Sequence, residues 1–275
     1  MPDSERVDPK TVLAAIRIPV VPAVLQAVID AVNNPATTST QLEELVLRDP
    51  GLSSQILKMV NSAFFSLRVK VTSISQGIVL LGYATIRSMA SSLVMLETVG
   101  NMEGVDEAYL KKVWDRSVLC SGVVRLMTAR RSKEIQAQLF LASLVHDVGH
   151  LILSCHFGRD YRLLIKENTF PHPHEEVKKV GTDHAEVGAE LLTQWGFNPM
   201  VIELVRNHHR TPCPVEVELF VELLRVGDLL ADLTQVGRSL DSLKADLRMK
   251  DLRTSLPKIG VSWEELIQWE GKIFA

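Results

Sequence analysis

The stretch Gln138–Leu153, QLFLASLVHDVGHLIL, is apolar nearly all round, yet it sets His146 beside Asp147 in its middle. A helix without a polar face is a buried helix. A carboxylate in such surroundings costs several kcal/mol unless it is paired or coordinates a metal. Asp147 therefore needs a metal, an arginine or a protonated histidine. The helix alone leaves a metal site and a buried ion pair equally open.

Other polar residues sit on apolar faces in the same way. In the helix expected over 183–196, Asp183, Glu186, Glu190 and Gln194 share one stripe, whereas His184 aligns with Leu191, Leu192 and Trp195. His208 continues the face of Val201, Leu204 and Val205, with His209 beside it. Asp228 shares the face of Val221, Leu224 and Ala231, while Glu222, Arg225 and Asp232 are read as pointing away. One inward histidine is an ordinary core residue. Four histidines and two aspartates on four helices each need a partner. Imidazole with carboxylate suits a hydrolytic divalent metal such as zinc, manganese or iron. His146 and His150, spaced i and i+4, also resemble a zinc-protease H-E-x-x-H with Asp for Glu. The shorter acid and the helix-weakening Gly149 count against that match.

The elements that must position these residues are helical. No segment shows sustained period-2 alternation, and aromatics at 5% do not suit an aromatic-rich sandwich, so the fold class is all-α. Residues 1–18 read as a frayed start, followed by an extended lead-in, Ile18-Pro19-Val20-Val21-Pro22. A helix then runs from Pro22 to about Asn33, and Thr40-Gln41-Leu42-Glu43 reads as a capping box opening the next. Asp49-Pro50 begins another. Further helices are expected at 74–81, 84–97, 106–130, 134–155, 158–168, 199–209, 215–235 and 262–273, the last opened by Ser262-Trp263-Glu264-Glu265. Residues 168–182 read as a loop or broken helix. Asn101–Val105 is the best internal boundary, dividing 18–100 from 101–235, with a helical tail at 236–275.

The formal net charge is −3, which gives no broad basic field for nucleic acid; Thr128–Lys133 alone is cationic. Cys120, Cys155 and Cys213 are scattered and form no C-x-x-C pair, so a cytoplasmic setting is expected. The N-terminus lacks signal-peptide character, and the longest uncharged run, Val71–Ile86, is too short and polar to span a bilayer.

Leu144-Val-His-Asp-Val-Gly149 resembles the L-x-H-D-x-G core of HD-domain phosphohydrolases, which hold metals inside a helical bundle. His184-Ala-Glu-Val-Gly-Ala189, Trp195, Pro199 and Asn207-His-His209 resemble the downstream part of an HDOD domain, a bacterial relative of the HD-GYP phosphodiesterases. Asp49-Pro-Gly-Leu52, Leu57 through Val60-Asn-Ser-Ala63, Ile74 and Leu81-Gly82 resemble its N-terminal half, so the likeness spans about 18–235. It implies an HD-like bundle with an N-terminal helical subdomain. It also implies metal-ligand positions at His146, Asp147, His184, His208, His209 and Asp228.

Two positions depart from the pattern. HD phosphohydrolases place a first histidine about thirty residues before the His-Asp pair, and here Arg116 stands thirty residues before His146. At position 150, where HD-GYP proteins commonly have Lys, this chain has His150, and no G-Y-P motif follows His209. A guanidinium cannot ligate a metal and is always charged. Facing inward, Arg116 would supply the charge Asp147 and Asp228 need, or clamp a phosphate. Facing outward, it would leave Trp114 or Ser117 inside.

Two functions follow. The first is a non-catalytic bacterial signalling module acting through protein partners or a ligand, as the resemblance implies and the missing histidine supports. The second is a metal-dependent phosphohydrolase acting on a phosphoester or nucleotide. Nucleic-acid and membrane partners are not expected.

Overall fold

The computed structural model describes residues 6–16, 23–34, 36–62, 65, 67–165, 170–235, 239–240 and 248–273. The expected lead-in Ile18–Pro22 lies outside the described residues, as does Ala63. Among the described residues every regular element is a helix.

The first six are α1 (Pro9–Ala15), α2 (Ala23–Asn33), α3 (Ser39–Leu47), α4 (Pro50–Val60), α5 (Ile74–Leu81) and α6 (Tyr83–Gly100). The next five are α7 (Glu107–Met127), α8 (Lys133–Val145), α9 (Val148–Phe157), α10 (Arg159–Arg162) and α11 (Pro173–Val180). The last five are α12 (His184–Gln194), α13 (Pro199–Asn207), α14 (Glu218–Gln235), α15 (Arg248–Ile259) and α16 (Trp263–Ile273). Helices α2 and α4 pack on α6, which itself packs on α8. The second group centres on α7, which runs along α14 and α8, while α12 lies against α9 and α13. One apolar core runs through both groups, from Val12 and Leu13 to Leu266 and Ile273.

Local chemistry sets most boundaries. Asp49 caps α4, its Oδ1 accepting the Leu52 N–H at 3.0 Å, and Pro50 occupies the first helical position. Ser262 and Glu265 form the expected reciprocal cap of α16. The capping box of α3 lies two residues before the expected one. Thr38 Oγ1 accepts the Gln41 N–H at 3.3 Å, and Gln41 Oε1 accepts the Thr38 N–H at 2.9 Å. Gln41 is thus the third helical residue, and Thr40 is inside the helix. Thr38→Ala is expected to lower stability by about 1 kcal/mol and Thr40→Ala hardly at all, which urea denaturation would resolve.

Other expectations need correction. Part of the supposedly frayed start is α1: Asp8 caps it, and Val12 and Leu13 are buried against α12. Of the helix expected over 158–168, residues 166–168 lie outside the described residues, and the described part holds the single turn α10. Within 168–182, read as a loop or broken helix, lies α11, and the helical tail contains α15 as well as α16. Most consequential is the helix expected over 134–155, which breaks after α8. His146 keeps helical angles (φ −59°, ψ −32°), but Asp147 (φ −97°, ψ 5°) does not. In an unbroken helix the two side chains would diverge by about 100°. The break turns both toward one interior space. Lys133–Phe157 has the length and apolar composition to cross a membrane, but 89% of that window is buried inside the protein.

Candidate functional site

The interior polar centre draws on seven helices. Arg116 comes from the middle of α7, and His146 from the end of α8. Asp147 and His150 sit at the start of α9, Glu176 on α11 and His184 on the first turn of α12. His208 follows α13, and Asp228 and Asp232 lie one turn apart on α14. Arg116, His146, Asp147, His184, His208 and Asp228 are all buried.

Arg116 points inward and spends all three guanidinium nitrogens on carboxylates. Nη1 pairs with Asp147 Oδ2, Nη2 with Asp228 Oδ1 at 2.7 Å, and Nε with Asp232 Oδ1 at 2.8 Å. The Phe170 ring lies 4.6 Å from its guanidinium carbon and covers it. Asp232 therefore does not point away. Residues four apart on a helix share a face, so Asp228 carries Asp232 with it. Arg225 does not point away either. Its Nε donates to the His208 carbonyl at 2.8 Å and so holds the C-terminal end of α13. Glu222 is also buried, paired with Arg225 at 3.3 Å and Lys258 at 3.6 Å.

His146 faces the same half. Its Nδ1 donates to the Ser143 carbonyl at 2.8 Å, so Nε2 can donate to Asp228 Oδ1, at 3.0 Å, only as an imidazolium. Burial opposes that charge, but Asp147 and Asp228 outweigh it and raise the pKa. Burial would also raise the Asp147 carboxyl; Arg116 and the surrounding histidines hold it well below the usual carboxylate range.

The other half is built on Glu176, which is fully buried. Its Oε2 accepts from His184 Nδ1 at 2.7 Å and from the His184 backbone N–H at 3.0 Å. Its Oε1 accepts the Tyr161 hydroxyl at 2.5 Å, and that phenol oxygen accepts from His150 Nδ1, also at 2.5 Å. His208 Nδ1 donates to the Val205 carbonyl at 2.6 Å. Burial opposes charge on His184, but Glu176 prevails and pushes its pKa up to about 9. Burial, then the charges on His146 and His184, push His208 down to about 3.

With their Nδ1 atoms thus engaged, three imidazoles turn Nε2 toward one atom. Asp147 Oδ1 has no hydrogen-bond partner and lies 3.7 Å from His150 Nε2, 3.8 Å from His184 Nε2 and 4.0 Å from His208 Nε2. Asp147 thus divides the centre: Oδ2 belongs to Arg116, and Oδ1 faces histidines. Among the described residues three groups are spaced to hold a cation: Asp147–His150–His184 and His146–Asp147–His208 include Asp147, and the third is His184–His208–His209. His209 is half-buried, and among the described residues no carboxylate lies within 4.0 Å of its ring nitrogens. A cavity of about 540 Å³, lined by Arg116, His150, Phe170, His209, Asp228 and Asp232 among others, opens over the centre.

Sequence reasoning missed Glu176 and Tyr161, and gave His150 no positive role. A signal for α11 was present: Pro173 at its first position and Gly181 just past its end, where φ is 80°. With that helix recognised, Glu176 shares the inward face of Val180.

A family model described as the HDOD domain matches residues 18–211, stopping short of α14 and hence of Asp228. An uncharacterized protein of Treponema pallidum (strain Nichols) is 24% identical over 263 residues, covering 90% of this chain and 50% of that protein. The chain spans about half the length of this curated relative. Among solved structures, a candidate phosphohydrolase from Shewanella amazonensis SB2B superposes with TM-score 0.72 at 20% identity, covering 96% of this chain and 95% of that chain. A candidate signal transduction protein from Marinobacter aquaeolei VT8 superposes with TM-score 0.68 at 18% identity, covering 98% of this chain and 60% of that one. These structural likenesses concern the fold. The family match extends over more than half of the sequence, and the chain belongs to the HDOD family.

Proposed function

We propose that this chain is a regulatory HDOD module that works by binding signalling partners or a ligand rather than by hydrolysis. One observation carries the reading: Arg116 holds Asp147 Oδ2, Asp228 and Asp232 together at the position of the histidine expected in HD phosphohydrolases. A fixed positive charge there excludes a second cation from that half. It also leaves the guanidinium no nitrogen free of a carboxylate, which disfavours a phosphate clamp. The naming of the Marinobacter neighbour for signal transduction supports the same reading.

The test is Arg116→His, compared with wild type after purification in manganese or zinc. The expected result is a higher metal content in the variant and no hydrolysis of a generic phosphodiester by wild type. Metal-dependent hydrolysis by wild type that Asp147→Asn abolishes would overturn the reading.

The orphan Asp147 Oδ1 favours a second reading, a metal-dependent phosphohydrolase. One carboxylate oxygen and three Nε2 atoms are donors that fit a divalent cation. When bound, such a cation would lower the pKa of a water and polarise a phosphoryl oxygen.

A further inference from the structure

We infer that the cavity between α4 and α7 is a ligand site separate from the polar centre, and that it takes a small organic anion with a flat apolar body. The inference goes beyond both readings of the centre and does not depend on whether the chain hydrolyses anything.

The cavity measures about 530 Å³. Its floor is apolar: Met59 on α4 and Leu93 on α6 are buried. Trp114, Val118 and Leu119, half-buried on α7, form one wall. Trp114 and Val118 are four residues apart and share a face of the helix. Each lies two residues from Arg116, about 200° round α7. One side of α7 thus carries Arg116 into the polar centre, and the other side faces this cavity.

The lining selects the occupant. An apolar cavity of about 300–1,000 Å³ with a few polar groups at one side is the usual form of a small-molecule site. The indole of Trp114 offers a ring on which a flat molecule stacks. The opposite wall brings Lys58, which is exposed, and among the described residues no carboxylate lies within 4.0 Å of its ammonium. The one carboxylate in the lining, Asp115, is already paired with Lys111. Ser62, just past α4, also lines the cavity. Its Oγ is buried and has no hydrogen-bond partner, so turning it toward an anion gives up no bond. Farther along the same side of α7, Arg125 covers the Phe65 ring at 4.7 Å and has no carboxylate within 4.0 Å among the described residues. Uncompensated charge on this side is therefore positive, and an anion complements it.

The experiment titrates the full chain, labelled with nitrogen-15, with 2-naphthoate and separately with the uncharged 2-naphthalenemethanol. Four tryptophans give four indole N–H peaks, and Trp114→Phe identifies the one from Trp114. 2-Naphthoate should shift that peak saturably and leave those of Trp195, Trp263 and Trp269 in place. The alcohol should bind about 5-fold more weakly, the worth of an exposed ion pair. Lys58→Gln should bring 2-naphthoate down to the level of the alcohol without changing the alcohol itself. Its melting temperature should match wild type, because Lys58 is exposed. Ser62→Ala should weaken 2-naphthoate without lowering stability, since it removes a hydroxyl that bonds to nothing. An unmoved Trp114 peak would overturn the inference. So would a shift confined to Trp269, which marks the cavity of about 580 Å³ beside Arg130 and Arg131. Equal binding of acid and alcohol, or a Lys58→Gln that binds 2-naphthoate like wild type, would remove the case for an anion. Phosphodiester hydrolysis is measured separately, so failure of the regulatory reading and failure of this site are distinct results.

Discussion

Arg116→Met is expected to destabilise the protein by about 3–5 kcal/mol, because removing one partner of a buried charge network leaves the others uncompensated. The methionine chain fills much of the same volume but offers nothing to Asp147, Asp228 or Asp232. Only His146, already committed to Asp228, would remain as a cation in that half. The loss should depend on pH. In wild type the guanidinium holds the Asp147 and Asp228 carboxyls below their ordinary values despite burial, so their contribution is present at neutral pH and lost in acid. Without Arg116, burial raises those carboxyls above their unfolded values. The variant then folds best below the ordinary carboxylate range and weakens as pH rises through the new values. Urea denaturation at several pH values should show the gap between variant and wild type narrowing toward acid. The double variant Arg116→Met/Asp228→Asn should lose less than the two single losses combined, since the residues share one network. A variant within about 1 kcal/mol of wild type at neutral pH would mean that the buried pairing does not matter to stability.

Gly149→Ala should be nearly as damaging, for a steric reason. A Cβ at Gly149 would stand 2.0 Å from the His184 carbonyl oxygen and 2.9 Å from the Gly188 nitrogen. Both obstacles are backbone, so no rotamer change relieves them. Helices α9 and α12 must move apart, and α9 carries His150 while α12 carries His184. The expected loss is about 3 kcal/mol, the upper end for overpacking. Gly271→Ala is the control: nothing lies within 4 Å of its Cβ position on α16, so it should be neutral or stabilising by up to about 1 kcal/mol. A Gly149→Ala melting curve that overlays wild type would show that the two helices are not in such close contact.

Much of this centre was legible in residue order. Helix phase is a local property, so the apolar faces around His146, Asp147, His184, His208 and Asp228 sufficed to turn those side chains inward. Spacing relative to His146 marked Arg116 as the residue that stands where a histidine was expected. What phase does not contain is distance between helices. Asp232 was assigned outward from its neighbours Glu222 and Arg225, although only the approach of α7 to α14 decides which carboxylate reaches the guanidinium. Glu176 was missed because its segment was read as a loop or broken helix with no assigned face, and its partners come from α12 and from the turn α10. The break at Asp147 was equally hidden, since residues 138–153 read as uninterrupted helix. Residue order thus determined that His146, Asp147, His184, His208 and Asp228 are buried and must be paired. Tertiary structure alone decided the pairing, giving one oxygen of Asp147 to Arg116 and turning the other toward three histidines. Burial follows from a helix's own periodicity, whereas a hydrogen bond requires two helices to meet within about 3 Å.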